Sequence, residues 1–449
     1  MKIFSTDVTL SGSWNIAIVY PEWFGAVGNG VTDDTLSCQK ACSFGAGHTI
    51  LFSFGKIYIL NNDLQVYSNS EIIIEGTLKD MTQITFFRLY LQNTPGYTGL
   101  HDVYIHGSGL VDVNANNIEG HSYTPFRIGH ANNIRIEDIT VKNYGIFHAM
   151  EISGSKNVKI KNVTFLGQIN KTGDFRETIQ IEMIADNGGA PGITPYDGTV
   201  SRDIIIDGCR FTPSEETEAN TWYGCIGNHS AYMETDMPED KMCKNISIRN
   251  CIFENLGGGF GNDHPRSTIN TKSAISFFGM FKNVEIRDNV FLNIAVAVYI
   301  GRYCTDFIIS NNTMIDTSNA VNLGCIGGPL KNIIIQNNYI KPAVDAQNCC
   351  ALWAGSYDQS SYGVQLLVFR NNVIILTEAH QEYAIQLQGS HLSNTTALLY
   401  NNIIKNTDIL ETPSILKGTI HRFDYKGAVE SNPTNNMVMV YDFDSGMNA

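Results

Sequence analysis

Along most of the chain, short runs alternate apolar and polar residues, and the runs share one form. A polar pair, often containing Asn, precedes three or four alternating apolar positions. Asn or Asp follows, then a variable residue and another apolar one. NNIRIEDITV from 132, KNVKIKNVTF from 156, RDIIIDGCRF from 202, KNISIRNCIF from 244 and KNVEIRDNVF from 282 show it. TDFIISNNTM from 305, KNIIIQNNYI from 331, QLLVFRNNVI from 365 and TALLYNNII from 396 continue it, and HDVYIHGSGL from 101 is a weaker copy. Period-two alternation rich in β-branched residues predicts strands. Their apolar starts fall at 103, 134, 158, 204, 246, 284, 307, 333, 367 and 397, and the shortest gaps are 23 and 24 residues. That spacing fits one coil of three short strands and three turns, so the repeat predicts a parallel β solenoid in which each strand stacks on the next coil.

One column strengthens the register. The sixth residue from each start reads Ser108, Ile139, Val163, Cys209, Cys251, Asn289, Asn312, Asn338, Asn372, Asn402. Five successive Asn at one coil position predict a ladder of stacked amides, each donating to the next, because buried amides need partners.

A second strand aligns in every coil: PFRIG from 125, AMEIS from 149, TIQIE from 178, CIGNH from 225, AISFF from 274, AVYIG from 297, AVNLG from 320, ALWAG from 351 and AIQLQ from 384. Their second and fourth residues face inward, and the third and fifth are expected to face solvent. The third-position column reads Arg127, Glu151, Gln180, Gly227, Ser276, Tyr299, Asn322, Trp353, Gln386. The fifth reads Gly129, Ser153, Glu182, His229, Phe278, Gly301, Gly324, Gly355, Gln388. Planar polar groups and aromatic rings beside a floor of Gly suit a sugar chain.

Near the N-terminus a short helix is expected over Thr35–Ser43, with Thr32, Asp33 and Asp34 as cap and first-turn residues. Gly45 and Gly47 end it. Such a helix covers the open edge of a first coil. The expected organisation is a lead segment over 1–20, a cap over 21–50, a β-helix catalytic domain over 51–410 with coils beginning at GKIYIL from 55, and a C-terminal cap or tail over 411–449.

Composition narrows the functions. The formal charge is −14, which argues against nucleic-acid binding, and 43% hydrophobic with 16% charged residues excludes a disordered chain. No apolar run reaches the length of a membrane span. The first twenty residues lack the apolar core of a secretion signal. Among ten Cys no spacing suggests a zinc site, and Cys38 and Cys42 share one helix face as buried thiols.

The stretch Phe24-Gly25-Ala26-Val27-Gly28-Asn29-Gly30-Val31-Thr32-Asp33-Asp34-Thr35, followed by the coils, resembles the right-handed parallel β-helix enzymes of the pectate-lyase superfamily over roughly residues 20–410. That superfamily includes phage tailspike depolymerases and bacterial polysaccharide hydrolases and lyases. Glu177–Glu182, Pro195–Thr199 and Ile226–Ser230 are similar to one tailspike-like subgroup. The resemblance implies an all-β right-handed parallel β-helix, a bacterial polysaccharide substrate, an extracellular or virion location, and a homo-oligomer, with a trimer favoured.

Coil spacing of about 4.8 Å sets Glu182 beside His229 and leaves about 8 Å between the Cα atoms of Glu151 and Glu182. Inverting glycosidases hold their carboxyls ~6.5–9.5 Å apart. The three largest gaps between strand starts are 46, 42 and 38 residues, are consecutive, and bracket Glu182 and His229 as loops walling a groove. The candidate catalytic residues are Glu182, Glu151, Glu177 and His229. Arg127, Arg176, Gln180, Asp197, Asp263, His264, Tyr299 and Trp353 are the candidate substrate contacts, with His148 nearby. Hydrolysis by one carboxyl acid and one carboxylate base needs no metal or cofactor. The alternatives are a lyase, with His229 or a Tyr as base and Arg127, Arg176 or Ca²⁺ neutralising a uronate, or a non-catalytic carbohydrate-binding spike or adhesin.

Overall fold

A computed structural model describes residues 2–4, 15–145, 147–169, 177–185, 190–216, 224–228, 239–256, 273–325, 327–343, 350–355, 362–376, 383–388, 396–406, 414–417 and 422–431. The chain is all-β, a right-handed parallel β-helix with one short N-terminal capping helix. It divides into two compact units, Met1–Trp222 and Tyr223–Ala449.

In the first unit the expected register holds residue for residue. Val103, Ile134, Val158 and Ile204 stack in one column, and Arg127, Glu151 and Gln180 in another. A third column, Val111, Val141, Phe165 and Phe211, completes the coil. Phe165 and Phe211 lie nearly parallel, 4.9 Å between centroids, so the interior is filled by like side chains repeating from coil to coil. The second unit follows the same plan. Ile246, Val284, Phe307, Ile333, Leu367 and Ala397 stack, as do Ser276, Tyr299, Asn322, Trp353 and Gln386.

The recurrent Asn pairs now have a physical account. At Asp288-Asn289, Asn311-Asn312, Asn337-Asn338, Asn371-Asn372 and Asn401-Asn402, the first residue turns the corner with φ between 55° and 57°. Asn and Asp tolerate that left-handed conformation better than other side chains. The second residue points inward and joins the ladder. Asn289 Nδ2 donates to Asn312 Oδ1, Asn312 to Asn338, Asn338 to Asn372 and Asn372 to Asn402, each at 3.0 Å. Every one of those Nδ2 groups also donates to a main-chain carbonyl one coil back. Each Oδ1 from Asn312 onward also accepts the main-chain N–H of the Asn before it. The buried amides are therefore satisfied on both sides. The first unit carries Ile139, Val163 and Cys209 at the same coil position.

The helix, α1, spans Thr35–Phe44 and buries Cys38, Ala41 and Cys42, packing against the 3-10 turn Pro21–Phe24. Asp34 is the N-cap residue, as expected, and its main-chain oxygen accepts the Cys38 amide at 2.9 Å. Its buried carboxylate makes no cap bond; it accepts the amides of Val27 at 2.7 Å and Gly28 at 3.0 Å and holds the preceding loop. Asp33 accepts the Thr35 amide at 3.0 Å. All nine described cysteines are buried and unbridged, and burial pushes the Cys42 thiol up to about 12, which keeps it protonated and inert. The winding also extends beyond the expected bounds. Ile18–Val19 pairs with Thr49–Ile50 ahead of residue 55, and Ser414–Lys417 and Arg422–Ser431 continue the parallel pairing past 410.

Candidate functional site

In the first unit, alternation turns Phe126, Ile128, Met150, Ile152, Ile179 and Ile181 into the core and sends Arg127, Glu151 and Gln180 outward in register. Ser153 and Glu182 pair in the adjacent outward column. Arg127 Nε donates to Glu151 Oε2 at 2.8 Å, and Ser153 Oγ lies 3.4 Å from Glu151 Oε1. Gln180 Nε2 donates to Glu182 Oε1. Burial alone lowers the affinity of the Arg127 guanidinium for its proton, but the Glu151 carboxylate beside it more than offsets this, and the pKa is net raised. Arg127 and Glu151 form the ion pair of this column.

The outward columns are not wet, as the repeat had suggested. Glu151 is 4% exposed, Glu182 2% and Gln180 4%. Beside the Arg127–Glu151 pair runs a strap, residues 190–199, contributed by the largest insertion in the repeat. Ile193 packs with Ile184, Ala190 and Tyr90. It sits over Gly129, where a Cβ would lie 2.7 Å from Ile193 Cγ2. Gly154 receives Ile184 in the same way, at 2.4 Å from Cγ1. These bare positions are sockets for the strap, not a floor for sugar rings. Arg127 Nη2 donates to Pro191 O at 2.8 Å, so the cation that holds Glu151 also holds the strap.

The rest of the strap is fastened to the loop 91–99. Gln92 Nε2 donates to Gly192 O at 2.6 Å, and Asn93 N to Thr194 O at 2.9 Å. Asp197 was expected to reach the substrate. Its carboxylate instead accepts the amides of Gly96 and Thr199, each at 2.9 Å. Burial would raise its pKa, but the hydrogen bonds from Thr199 and Gly96 outweigh this and hold it below the ordinary aspartate value. His130 was not foreseen. Its ring nitrogens face Gly96 O at 2.8 Å and Pro195 O at 2.9 Å, clasping strap to loop. No periodic signal marks it, because its contacts are with irregular segments.

Glu177 opens the strand Glu177–Glu182 and is fully buried. His148 Nδ1 donates to the Glu177 main-chain oxygen at 2.6 Å and lies 3.8 Å from Oε2. In the second unit, Tyr299 and Trp353 share one outward column with Ser276 and Asn322. Both rings were expected to be exposed. Tyr299 is 2% exposed and Trp353 6%, with Tyr299 packed on Phe278 at 5.0 Å and its hydroxyl over Gly324. His229, Arg176, Asp263 and His264 lie outside the described residues. Among the described residues no group of three or more His, Cys, Asp or Glu is placed to hold a metal ion, and no helix is long and apolar enough to cross a membrane.

No protein-family model matches the chain. Over 262 residues it is 29% identical to plasmin and fibronectin-binding protein A of Streptococcus pneumoniae, which covers 52% of this chain and 35% of that protein. The chain thus matches about a third of that relative's length. A 53-residue stretch is 51% identical to a capsule K30/K69-specific depolymerase of Klebsiella phage K64-1, 11% of this chain and 7% of that one. Endo-xylogalacturonan hydrolase A of Aspergillus tubingensis is 26% identical over 267 residues, 54% of this chain and 64% of the relative. Among solved structures, the Streptococcus pneumoniae surface adhesin PfbA superposes with a TM-score of 0.65 at 19% identity, covering 93% of both chains. A tailspike of E. coli bacteriophage HK620, in complex with a pentasaccharide, gives 0.56 at 14% identity over 92% of this chain and 67% of that one. At these identities the structures establish the shared β-helix architecture.

Proposed function

We propose that the chain is a depolymerase that hydrolyses glycosidic bonds of a bacterial surface polysaccharide, with Glu182 as general acid and Glu151 as general base. The observation that carries this reading is the pairing of two buried carboxyl groups, one rung and two residues apart, on one outward face. Strand spacings put their Cα atoms about 8 Å apart, which leaves room for a water on the far side of the scissile bond. Arg127 pairs with Glu151 at 2.8 Å and orients the base. Gln180 donates to Glu182 Oε1 and orients the acid. The named activities of the Klebsiella phage and Aspergillus relatives support the choice of chemistry. In this reading Glu177 and His148 brace the strand behind the acid. The strap 190–199 is fastened to Arg127, the partner of Glu151. The homo-trimeric assembly and the extracellular or virion location are part of the same proposal.

The test is a screen of purified capsular and exopolysaccharides, reading reducing ends and ultraviolet absorbance together. Reducing ends without new absorbance are expected. Absorbance rising in step with chain cleavage would replace hydrolysis by β-elimination. Glu182→Gln is expected to lower cleavage by about 10²–10⁴-fold, the usual contribution of a general acid, with binding retained. The superposition on the adhesin PfbA favours a second reading, a non-catalytic binding spike. It takes over if wild type and Glu182→Gln bind a polysaccharide equally and neither cleaves it.

A further inference from the structure

One outward column in the second unit carries a polar deficit that packing does not explain. Asn322 is fully buried, yet neither its Nδ2 nor its Oδ1 has a hydrogen-bond partner. Ser276 is fully buried in the same column, and its hydroxyl also has none. The contrast with the ladder in the same unit is direct: there every Asn amide is satisfied by its neighbours on the coils before and after. A buried amide left without partners costs stability, and such a cost persists in a fold when something outside the fold repays it.

The surroundings say what that something is. Tyr299 and Trp353 occupy the rungs on either side of Asn322. The adjacent outward positions hold Gly301, Gly324 and Gly355, which offer no side chain. None of Ser276, Tyr299, Asn322 or Trp353 is charged. An amide offers one acceptor and two donors on a plane, which matches the paired donor and acceptor capacity of vicinal hydroxyls. Aromatic rings match the C–H faces of a pyranose.

We propose that Ser276, Tyr299, Asn322 and Trp353 form a binding site for an uncharged glycosyl unit, in which the Asn322 amide and Ser276 hydroxyl hydrogen-bond ring hydroxyls. The proposal rests on the polysaccharide reading above and adds to it a position and a chemistry: this site selects neutral sugar, whereas the ionic Arg127–Glu151 pair belongs to the cleavage site. The ligand approaches from the outer side of the sheet and takes up the hydrogen bonds that the protein leaves open.

The experiment uses the full chain and measures two quantities for each variant: the apparent Tm without sugar, and binding of pentasaccharides by calorimetry. The probes are cellopentaose, maltopentaose and mannopentaose as neutral chains and pentagalacturonate as the acidic one. Asn322→Leu replaces the amide by an apolar group of similar size. The expected result is binding of at least one neutral probe by the wild type, at least a tenfold loss in Asn322→Leu, and a Tm that is unchanged or raised. Ser276→Ala removes only one hydroxyl. It is expected to weaken binding several-fold with no fall in Tm, which keeps the test alive should Asn322→Leu fold poorly. The proposal is overturned if both variants bind as wild type, if their Tm falls while binding stays, or if pentagalacturonate alone binds. Binding of none of the probes by the wild type also overturns it. Cleavage reports separately on the hydrolase reading: a Glu182→Gln protein that still binds neutral sugar but no longer cleaves leaves both standing, whereas unchanged cleavage in Glu182→Gln removes only the catalytic assignment.

Discussion

The two units share one coil plan and spend their polar groups in opposite ways. In Met1–Trp222 the inward corner position is apolar, Ile139, Val163 and Cys209, while the outward column is ionic, with Arg127 on Glu151. In Tyr223–Ala449 the corner position, after Cys251, holds the amide ladder from Asn289 to Asn402, while the outward column is neutral and aromatic. The difference teaches that the solenoid asks only that each column be internally consistent. Amides serve in the interior if every coil supplies one, and charges serve outside, even under cover, if each has its counter-charge.

The sharpest way to break this contrast is to unbalance the ionic column. Arg127→Met strands the Glu151 carboxylate and is expected to destabilise the protein by about 3–5 kcal/mol, the usual result of removing one partner of a buried ion pair. Chemical denaturation measures it, and a loss below about 1 kcal/mol would mark the pair as effectively solvated. Next comes the ladder. Asn312→Val removes two donated hydrogen bonds and the Oδ1 that accepts from the Asn289 side chain and main-chain N–H, for an expected loss of about 3 kcal/mol. Its counterpart Val163→Ala is expected to cost less, about 1–2 kcal/mol, because it loses only buried methyl groups. Equal losses at the two sites would mean that the ladder contributes no more than ordinary packing.

The smallest effect belongs to the strap. Asp197 has its pKa lowered in the fold, so the stability it contributes is fully present above the ordinary aspartate value and fades as pH falls through its depressed folded value. Hydrogen exchange at Gly96 and Thr199 is expected to quicken across that acid window in the wild type. In Asp197→Asn it should be quicker already at neutral pH, for a loss of about 1 kcal/mol. Exchange that is equally protected in both would show that Gln92 and His130 hold the strap unaided.

Much of this was legible in the sequence, and the reason lies in particular residues. Strand alternation and the Asn column leave a single register, so Glu151 opposite Gln180, Glu182 opposite Ser153 and Asn322 between Tyr299 and Trp353 all follow from counting. What did not follow is burial. Nothing periodic announces that Ile193 seats itself over Gly129, that Asp197 spends its carboxylate on Gly96 and Thr199, or that His130 bridges two loops. Those contacts join segments far apart in sequence through irregular backbone, where neither propensity nor period carries information. Asp34 shows the same division: its place as the N-cap residue follows from the sequence, while the turn of its carboxylate toward the amides of an earlier loop does not.

The left-handed corners carry a genetic consequence. Asn289 and Asn312 are equivalent points 23 residues apart, each following a corner residue of the same backbone geometry. Excising the intervening segment would rejoin the chain at matching positions and leave the row of amides unbroken, whereas losing a single codon within a strand would turn the core side chains that follow it in that strand toward water. Length variation in such a gene is therefore expected to arrive in whole turns, or as inserts placed between strands.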